Sequence, residues 1–207
     1  KSLGNFRNKF DVALVNGVLE WIPESGDIEL KRYYGQYKPK EYSGPTPGEQ
    51  QLAFLKTVHR NLNDGGRIYL AIENRFDFKM FLGAKEPHSN LFFVSFLPRK
   101  AADWISKIKL GRPFTNWLYS FKGIKKVLEE SGFSRVELYM CFPDYRYPER
   151  IIPYGGSLKD FTPTISPAND MGRKSYKRFL ARIGEFAIFG ILRLKFFAPS
   201  IIAIGHK

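Results

Sequence analysis

A short polar sequence, Glu73-Asn74-Arg75, directly follows the apolar run RIYLAI and has side chains that could act on a hydroxylated molecule. A carboxylate such as Glu73 can accept the proton of a reacting hydroxyl group, and an amide such as Asn74 can orient that group. The Arg75 guanidinium adds hydrogen-bond donors for a hydroxyl-rich substrate. Alternatively, Glu73 and Arg75 form an ion pair that only fixes a turn, which contributes little where it is exposed. The sequence alone leaves both interpretations open.

Two further candidates for proton transfer lie in segments rich in loop-forming residues. His88 stands in Pro87-His88-Ser89, and an imidazole with a pKa of about 6.5 suits proton removal from a hydroxyl group. A surface imidazole without a role is the alternative. Asp144 and Tyr145 follow the alternating run RVELYMC. Asp144 is a second candidate base, and Tyr145 could line a pocket for the acceptor of the reaction.

The turn Asn16-Gly17-Val18 ends the apolar run FDVALV. Glycine at position 17 allows a ligand to come close to the backbone, which makes Asn16, Gly17 and Val18 candidate binding residues. The alternative is an ordinary turn between a strand and a helix. Glu20 could face the same cleft, or it could interact with the dipole of a helix that begins there.

The sequence predicts no metal site and no disulfide. His59 and His206 have no potential ligands near them in sequence, and scattered histidines without a cysteine cluster do not match a zinc pattern. The single cysteine, Cys141, has no cationic neighbour in sequence and is predicted to be a buried apolar residue. A chain with one cysteine fits a reducing compartment, so we expect a cytoplasmic location.

Hydrophobic periodicity predicts the elements that must position these residues. The predicted strands are 10–16, 67–73, 135–141 and 201–205, and the predicted helices are 49–62, 120–131 and two short ones near 76–82 and 98–108. A strand, a helix, a glycine turn and another strand form a βαβ unit with parallel strands. Ligands in such α/β sheets bind beyond the carboxyl ends of the strands. We therefore expect Asn16, Glu73 and Asp144 to surround one hollow.

Three segments do not fit this regular pattern. Residues 23–48 contain four tyrosines and many prolines and glycines, which predicts a long loop, either a lid or a surface insertion. Residues 74–118 are a second insertion, and residues 143–167 are predicted to be a loop. Residues 171–198 are predicted to be a basic helix. This helix either covers the sheet before the last strand or lies on an anionic bilayer, and the first interpretation is preferred.

Composition limits the class of protein. The chain has 207 residues, and its 43% hydrophobic and 16% aromatic residues favour a folded domain over a disordered chain. The net charge of +13 indicates either an anionic partner, such as nucleic acid, a phospholipid surface or a phosphorylated substrate, or only a soluble basic surface. No run of about 20 apolar residues is present, so no transmembrane helix is predicted.

Four segments of the sequence are informative as a set: FDVALVNGVLEWI, QQLAFLKTVHRNLNDGGRIYLAIENRF, SFKGIKKVLEESGFSRVELYMCFPDY and APSIIAIGHK. Together they resemble the fourth to seventh strands, with the intervening helices, of class I S-adenosylmethionine-dependent methyltransferases. The stretches ENRFDFKMFLGAKEPHS and PDYRYP are similar to a bacterial subgroup associated with glycosyltransferases and surface-polysaccharide enzymes.

The resemblance implies a single partial methyltransferase domain over residues 1–207, with a doubly wound, Rossmann-like sheet. The sheet is expected to be mostly parallel with a final antiparallel strand. S-adenosylmethionine is the implied cofactor, and Asn16, Gly17, Val18 and Glu20 are expected to line its methionine and sulfonium end. Methyl transfer to a small-molecule or glycan acceptor is the implied reaction. Glu73, His88 and Asp144 are then the candidate catalytic residues, and Asn74, Arg75 and Tyr145 are the candidate acceptor-binding residues.

The sequence departs from this family at the cofactor. The glycine-rich turn and the acidic residues that grip the cofactor in the family have no counterpart here. We expect that the N-terminal cofactor half is missing and is supplied by preceding sequence or by a partner such as a glycosyltransferase. The isolated chain is then expected neither to bind S-adenosylmethionine tightly nor to methylate. Micromolar binding in calorimetry would contradict this.

A basic binding module without chemistry is the alternative function. The segment from Tyr33 to Lys40 interleaves aromatic residues and lysines as a single-strand binder does. No nucleic-acid-binding motif is present, so nucleic acid is not favoured. A peripheral contact with an anionic membrane surface, at the inner face of the membrane, is the other form of this alternative.

Overall fold

The computed structural model describes residues 9–24, 45–164 and 175–207. The strands are β1 (Phe10–Asn16), β2 (Leu62–Glu73), β3 (Arg135–Phe142), β4 (Arg150–Pro153) and β5 (Ser200–His206). The α-helices are α1 (Pro47–Asn61), α2 (Phe78–Phe81), α3 (Arg99–Leu110), α4 (Phe121–Glu130) and α5 (Ser175–Glu185). Short 3-10 helices cover Leu19–Glu24, Val94–Phe96 and Lys195–Phe197, and Phe186–Ile191 form a π-helical turn.

The five strands form one mixed sheet in the order β1-β2-β5-β3-β4. β1 pairs with β2 in parallel, so that Ala13 lies beside Ile68 and Asn16 lies beside Ala71. β5 is antiparallel to both β2 and β3, and β4 is antiparallel to β3. The strands β1, β2 and β3 therefore run in one direction and carry their carboxyl ends to one edge. The predicted α/β sheet with a closing antiparallel strand is confirmed.

One face of the sheet is covered by two helices that the sequence predicted. Thr46 and Glu49 form a capping box at the start of α1, and the Ser120 side chain accepts a hydrogen bond at the start of α4; both caps satisfy backbone N–H groups that a helix leaves free. Leu55 and Val58 of α1 and Ile124 of α4 are buried in the main hydrophobic core. Burial of these apolar stripes, rather than helix propensity, stabilises the two helices.

The opposite face carries a smaller apolar cluster. Ala71, Cys141, Tyr145 and Ile202 are buried there, whereas Leu14 on β1, at the edge of the sheet formed by the described residues, is 75% exposed. Burial raises the pKa of the Cys141 thiol to about 12. Cys141 is therefore the buried, unreactive residue that the sequence predicted.

Three predicted elements differ in the structure. The predicted glycine turn at 63–66 lies within β2, which begins at Leu62 and not at Arg67. The predicted loop 143–167 contains the short strand β4, which ends in a proline. Its two apolar residues, Ile151 and Ile152, are too few to predict a strand from the sequence. The predicted basic helix 171–198 is α-helical only over Ser175–Glu185 within the described residues. It then passes into the π-helical turn, and Arg193 adopts a left-handed φ of 53° that ends the helical path.

The exposed side chains of α5 also contradict the preferred interpretation of this helix as a cover for the sheet. Phe179, Leu180 and Ile183 are 65%, 59% and 50% exposed. Only beyond the α-helix does Phe189 enter the core, where it contacts the rings of Phe78, Phe142 and Phe161.

The predicted loop 23–48 falls largely on residues 25–44, which lie outside the described residues, as does the aromatic and basic segment from Tyr33 to Lys40. At its ends, Pro23 lies within the first 3-10 helix and Pro47 begins α1. The insertion 74–118 contains α2 and α3, close to the two predicted short helices. Within the parts of the chain described here, none of the helices has the length and apolar character to span a membrane.

Candidate active site

The turn after β1 places a carboxylate inside the protein. Gly17 has a left-handed φ of 64°, and its N–H donates to the Ala71 carbonyl at 2.9 Å. The following 3-10 helix buries Leu19 in the core and directs Glu20 inward, where it is fully buried. Neither carboxylate oxygen of Glu20 has a hydrogen-bond partner among the described residues.

A second buried carboxylate, Glu73, ends β2 beside this turn. Its Oε1 accepts a hydrogen bond from the Tyr145 hydroxyl at 3.3 Å, and its Oε2 has no hydrogen-bond partner in the described part of the chain. Tyr145 also lies directly over Gly17, because a Cβ added at position 17 would come within 2.9 Å of its ring. The ends of β1, β2 and β3 therefore meet at one place through Tyr145.

His88 reaches the same place from the loop between α2 and the second 3-10 helix. Glu86 organises this loop, since its carboxylate accepts hydrogen bonds from the Ser89 hydroxyl and from the backbone N–H groups of residues 88 and 89. Its Oε1 lies 2.6 Å from Nδ1 of His88. Nε2 of His88 is thereby directed toward Glu20, with 3.9 Å between Nε2 and Oε1. The Trp21 ring packs against the imidazole edge to face, with 4.8 Å between centroids.

Glu20, Glu73 and His88 form the ionisable cluster of the site, and each offers one ligand atom within 4.8 Å of the others. Burial, and then the negative charge of Glu73, raise the pKa of Glu20 to about 8. Burial alone would lower the pKa of His88. The hydrogen bond to Glu86 and the negative charges of Glu86, Glu73 and Glu20 outweigh burial, so the pKa of His88 is raised. Buried ionisable groups with perturbed pKa values make the cluster a candidate site for proton transfer.

Asp144 lies beside Tyr145 but is used to shape the turn after β3. Its Oδ1 accepts hydrogen bonds from the N–H groups of Arg146 and Tyr147, at 2.8 and 3.3 Å. Its Oδ2 is buried without a hydrogen-bond partner among the residues described. Asp144 is thus the neighbour in sequence of Tyr145, which contacts Glu73, and its role as a catalytic base stays a prediction.

Asn74 and Arg75, the other predicted acceptor-binding residues, have structural partners. The Asn74 amide donates to the carbonyls of Phe196 and Ala198, at 2.7 and 2.8 Å. The Arg75 guanidinium donates to the carbonyls of Ser95 and Leu97, both at 2.9 Å. These bonds fix the segments that flank the site, so the contacts support a structural role, and acceptor binding by these two residues stays a prediction.

The structure thus brings together five of the predicted residues: Gly17, Glu20, Glu73, His88 and Tyr145. Asn16 and Val18 lie beside them and are exposed. Sequence reasoning missed Glu86, although a carboxylate two residues before a histidine was a readable signal. His59 and His206 lie elsewhere, with His59 against Phe133 and His206 against Glu137.

Comparison with known proteins gives little. No protein-family model matches the chain, and no curated protein sequence matches it. Among solved structures, a SAM-dependent methyltransferase from Archaeoglobus fulgidus is similar at 11% identity with a TM-score of 0.39, covering 97% of this chain and 61% of that one. Another from Thermotoga maritima is similar at 12% identity with a TM-score of 0.41, covering 98% and 60%. The chain therefore spans about three fifths of the length of these structures.

Proposed function

We propose that this chain contributes to S-adenosylmethionine-dependent methyl transfer, with a hydroxyl group of a small molecule or glycan as acceptor. One observation carries the proposal. Three ionisable side chains from three separate segments, Glu20, Glu73 and His88, converge in a buried cluster beyond the carboxyl ends of β1 and β2. This is where ligands bind in α/β sheets, and three of the four sequence segments that resemble methyltransferases reach this edge of the sheet.

The residues present fit a cationic cofactor at this edge. The bound cofactor supplies a positively charged sulfonium with a transferable methyl group and a good leaving group. The exposed turn residues Asn16 and Val18 offer a surface at the end of β1, and the buried carboxylates nearby attract positive charge. The glycine-rich turn that binds the cofactor in the family has no counterpart among the described residues. Most contacts to the cofactor are therefore expected from residues other than those described.

The chemistry asks little of this chain beyond position and proton transfer. A bound cofactor would supply the methyl group and the leaving group, and the hydroxyl group of the acceptor would lose its proton as its oxygen is methylated. Glu73 and His88 are the groups placed to accept that proton. Tyr145 holds the Glu73 carboxylate, and Glu86 orients the imidazole.

The first experiment is calorimetry of the native full-length protein with S-adenosylmethionine. We expect saturable binding that S-adenosylhomocysteine competes away. Glu73→Gln is expected to leave this binding measurable, though weaker by the loss of one carboxylate, and to lower methyl transfer to sugar acceptors, measured as S-adenosylhomocysteine formed, by about 10²–10⁴-fold. Glu137→Gln is the matched control, because this carboxylate bonds to His206 and Tyr139 outside the cluster, and its rate should stay unchanged. Absence of cofactor binding by the full-length protein contradicts the proposal.

A second candidate function is contact with an anionic membrane surface. Phe179, Ile183 and Phe186 are exposed along one stripe that starts in α5, and Arg182 beside them is exposed and basic. Apolar and basic side chains on one exposed helix are what an anionic bilayer binds.

Vesicle co-sedimentation tests this contact. We expect the protein to pellet with phosphatidylglycerol vesicles and not with phosphatidylcholine vesicles. Replacing both Phe179 and Ile183 by serine should weaken binding by about tenfold or more, because the apolar area buried in the bilayer is lost. Phe92→Ser, which changes an exposed phenylalanine on another segment, should have no such effect. Equal recovery with both kinds of vesicle removes this candidate.

A further inference from the structure

We propose that Glu20, Glu73 and His88 bind one divalent transition-metal ion, Mn²⁺ or Zn²⁺. The three residues come from the 3-10 helix after β1, the end of β2 and the loop that follows α2, and all three are buried. None of the sequence patterns places them together, so the site exists only in the folded chain.

The three residues can reach one ion after modest side-chain movements. Oε1 of Glu20 and Nε2 of His88 are 3.9 Å apart, and one ligand atom from each of the three residues lies within 4.8 Å of the others. Ions of this class bind nitrogen and oxygen ligands at about 2.0–2.2 Å, so two ligand atoms on one tetrahedral ion are about 3.4 Å apart. The Glu20–His88 pair needs to close by about half an ångström, and the widest separation by up to about 1.4 Å.

Glu86 supplies the outer partner that metal-binding histidines usually have. Oε1 of Glu86 lies 2.6 Å from Nδ1 of His88. When Nδ1 carries the proton and donates it to this carboxylate, the lone pair of Nε2 is available to a metal ion. A carboxylate behind the imidazole fixes the ring and raises its basicity toward the metal. Tyr145 in the same way holds one oxygen of Glu73 and leaves Oε2 of Glu73 available.

The orphaned oxygens give an independent reason for a cation. Both oxygens of Glu20 and Oε2 of Glu73 are buried and accept no hydrogen bond from any described residue. Two carboxylates in contact inside a protein cannot both stay charged unless a proton or a cation neutralises them. A shared proton or a protonated His88 also neutralises the two carboxylates, whereas an ion binds both carboxylates and the Nε2 lone pair of His88 together, which the metal titration below tests.

The donor set selects the ion. One imidazole and two carboxylates suit a first-row transition ion such as Mn²⁺ or Zn²⁺. Ca²⁺ requires six to eight oxygen ligands, which this narrow cluster does not offer. If the proposed methyl transfer takes place here, a bound ion would lower the pKa of the acceptor hydroxyl group, whose proton would pass to water, and Glu73 and His88 would hold the ion instead of accepting the proton.

The experiment titrates the full 207-residue chain with MnCl₂ and follows free Mn²⁺ by electron paramagnetic resonance, with ZnCl₂ as competitor. We expect one ion per chain. Glu20→Gln and His88→Gln each remove a ligand and should weaken Mn²⁺ binding at least about 100-fold, and Glu86→Gln should weaken it about 10–100-fold. Glu137→Gln, which alters another carboxylate–histidine pair, should bind as the unchanged protein does.

Three results would overturn the assignment. The unchanged protein shows no saturable site below about 1 mM Mn²⁺, or both Glu20→Gln and His88→Gln bind Mn²⁺ as tightly as the unchanged protein. The third is that Glu137→Gln loses as much Mn²⁺ affinity as the ligand variants. Circular dichroism shows which variants fold, and the second ligand variant decides if the first does not. Ion binding needs only the folded chain, so it can succeed or fail independently of S-adenosylmethionine binding.

Discussion

Replacing Phe189 by alanine is expected to lower the free energy of unfolding by about 3–5 kcal/mol. The Phe189 ring is fully buried, and its centroid lies 4.9 Å from that of Phe142 and 5.4 Å from those of Phe78 and Phe161. These rings come from four separate segments, and Phe189 is at their centre. Truncation leaves a cavity that a rigid group of aromatic rings cannot fill. Urea unfolding followed by circular dichroism measures the loss.

Phe179→Ala is the matched control for this substitution. The same chemical change is made in the preceding helix, but the Phe179 ring is 65% exposed, so we expect a change within about 0.5 kcal/mol. If Phe189→Ala costs no more than Phe179→Ala, the π-helical turn does not attach this part of the chain to the core.

Replacing Gly17 by alanine is expected to lower the free energy of unfolding by about 2–4 kcal/mol, through two separate costs. The left-handed φ of 64° at this position disfavours any residue with a Cβ. The added Cβ would also come within 2.9 Å of the Tyr145 ring and closer still to its hydroxyl. Tyr145 then has to move away from Glu73, which alters the candidate active site as well as the stability. Urea unfolding measures the loss of stability.

Two further variants separate the backbone cost from the packing cost. Gly65 has a similar φ of 78°, and no described atom lies within 4 Å of a Cβ added there, so Gly65→Ala should cost only about 1 kcal/mol. Combining Gly17→Ala with Tyr145→Phe removes the closest atom and should recover part of the packing loss. If Gly17→Ala costs no more than Gly65→Ala, Tyr145 does not press on this turn.

The regular elements were predictable because their signals are local. Helices α1 and α4 have capping residues at their starts and apolar stripes with helical spacing, and both were predicted close to their observed bounds. The strands β1, β2, β3 and β5 were evident as apolar or alternating runs. The strand β4 and the π-helical turn were missed, because a four-residue edge strand and a change of helical period leave little trace in hydrophobic spacing.

The candidate site was predictable only in part, for the same reason. Glu73, His88 and Glu20 were each singled out from their neighbours in sequence, and topology indicated the edge of the sheet at which strand ends meet. Sequence could not show that Asn74 and Arg75 bind loop carbonyls, or that Glu86 takes one nitrogen of His88. Those partners lie on other segments or depend on the path of a loop.

The sequence by itself determined the α/β class, the order of most elements and the choice of candidate site residues. Hydrophobic periodicity and capping act over a few residues and can be read in the chain. The tertiary structure alone decided that two buried carboxylates and one imidazole share a site, and that the apolar side of α5 stays exposed. Contacts between distant segments depend on the strand order and on side-chain direction, and these are set when the sheet and its helices pack together.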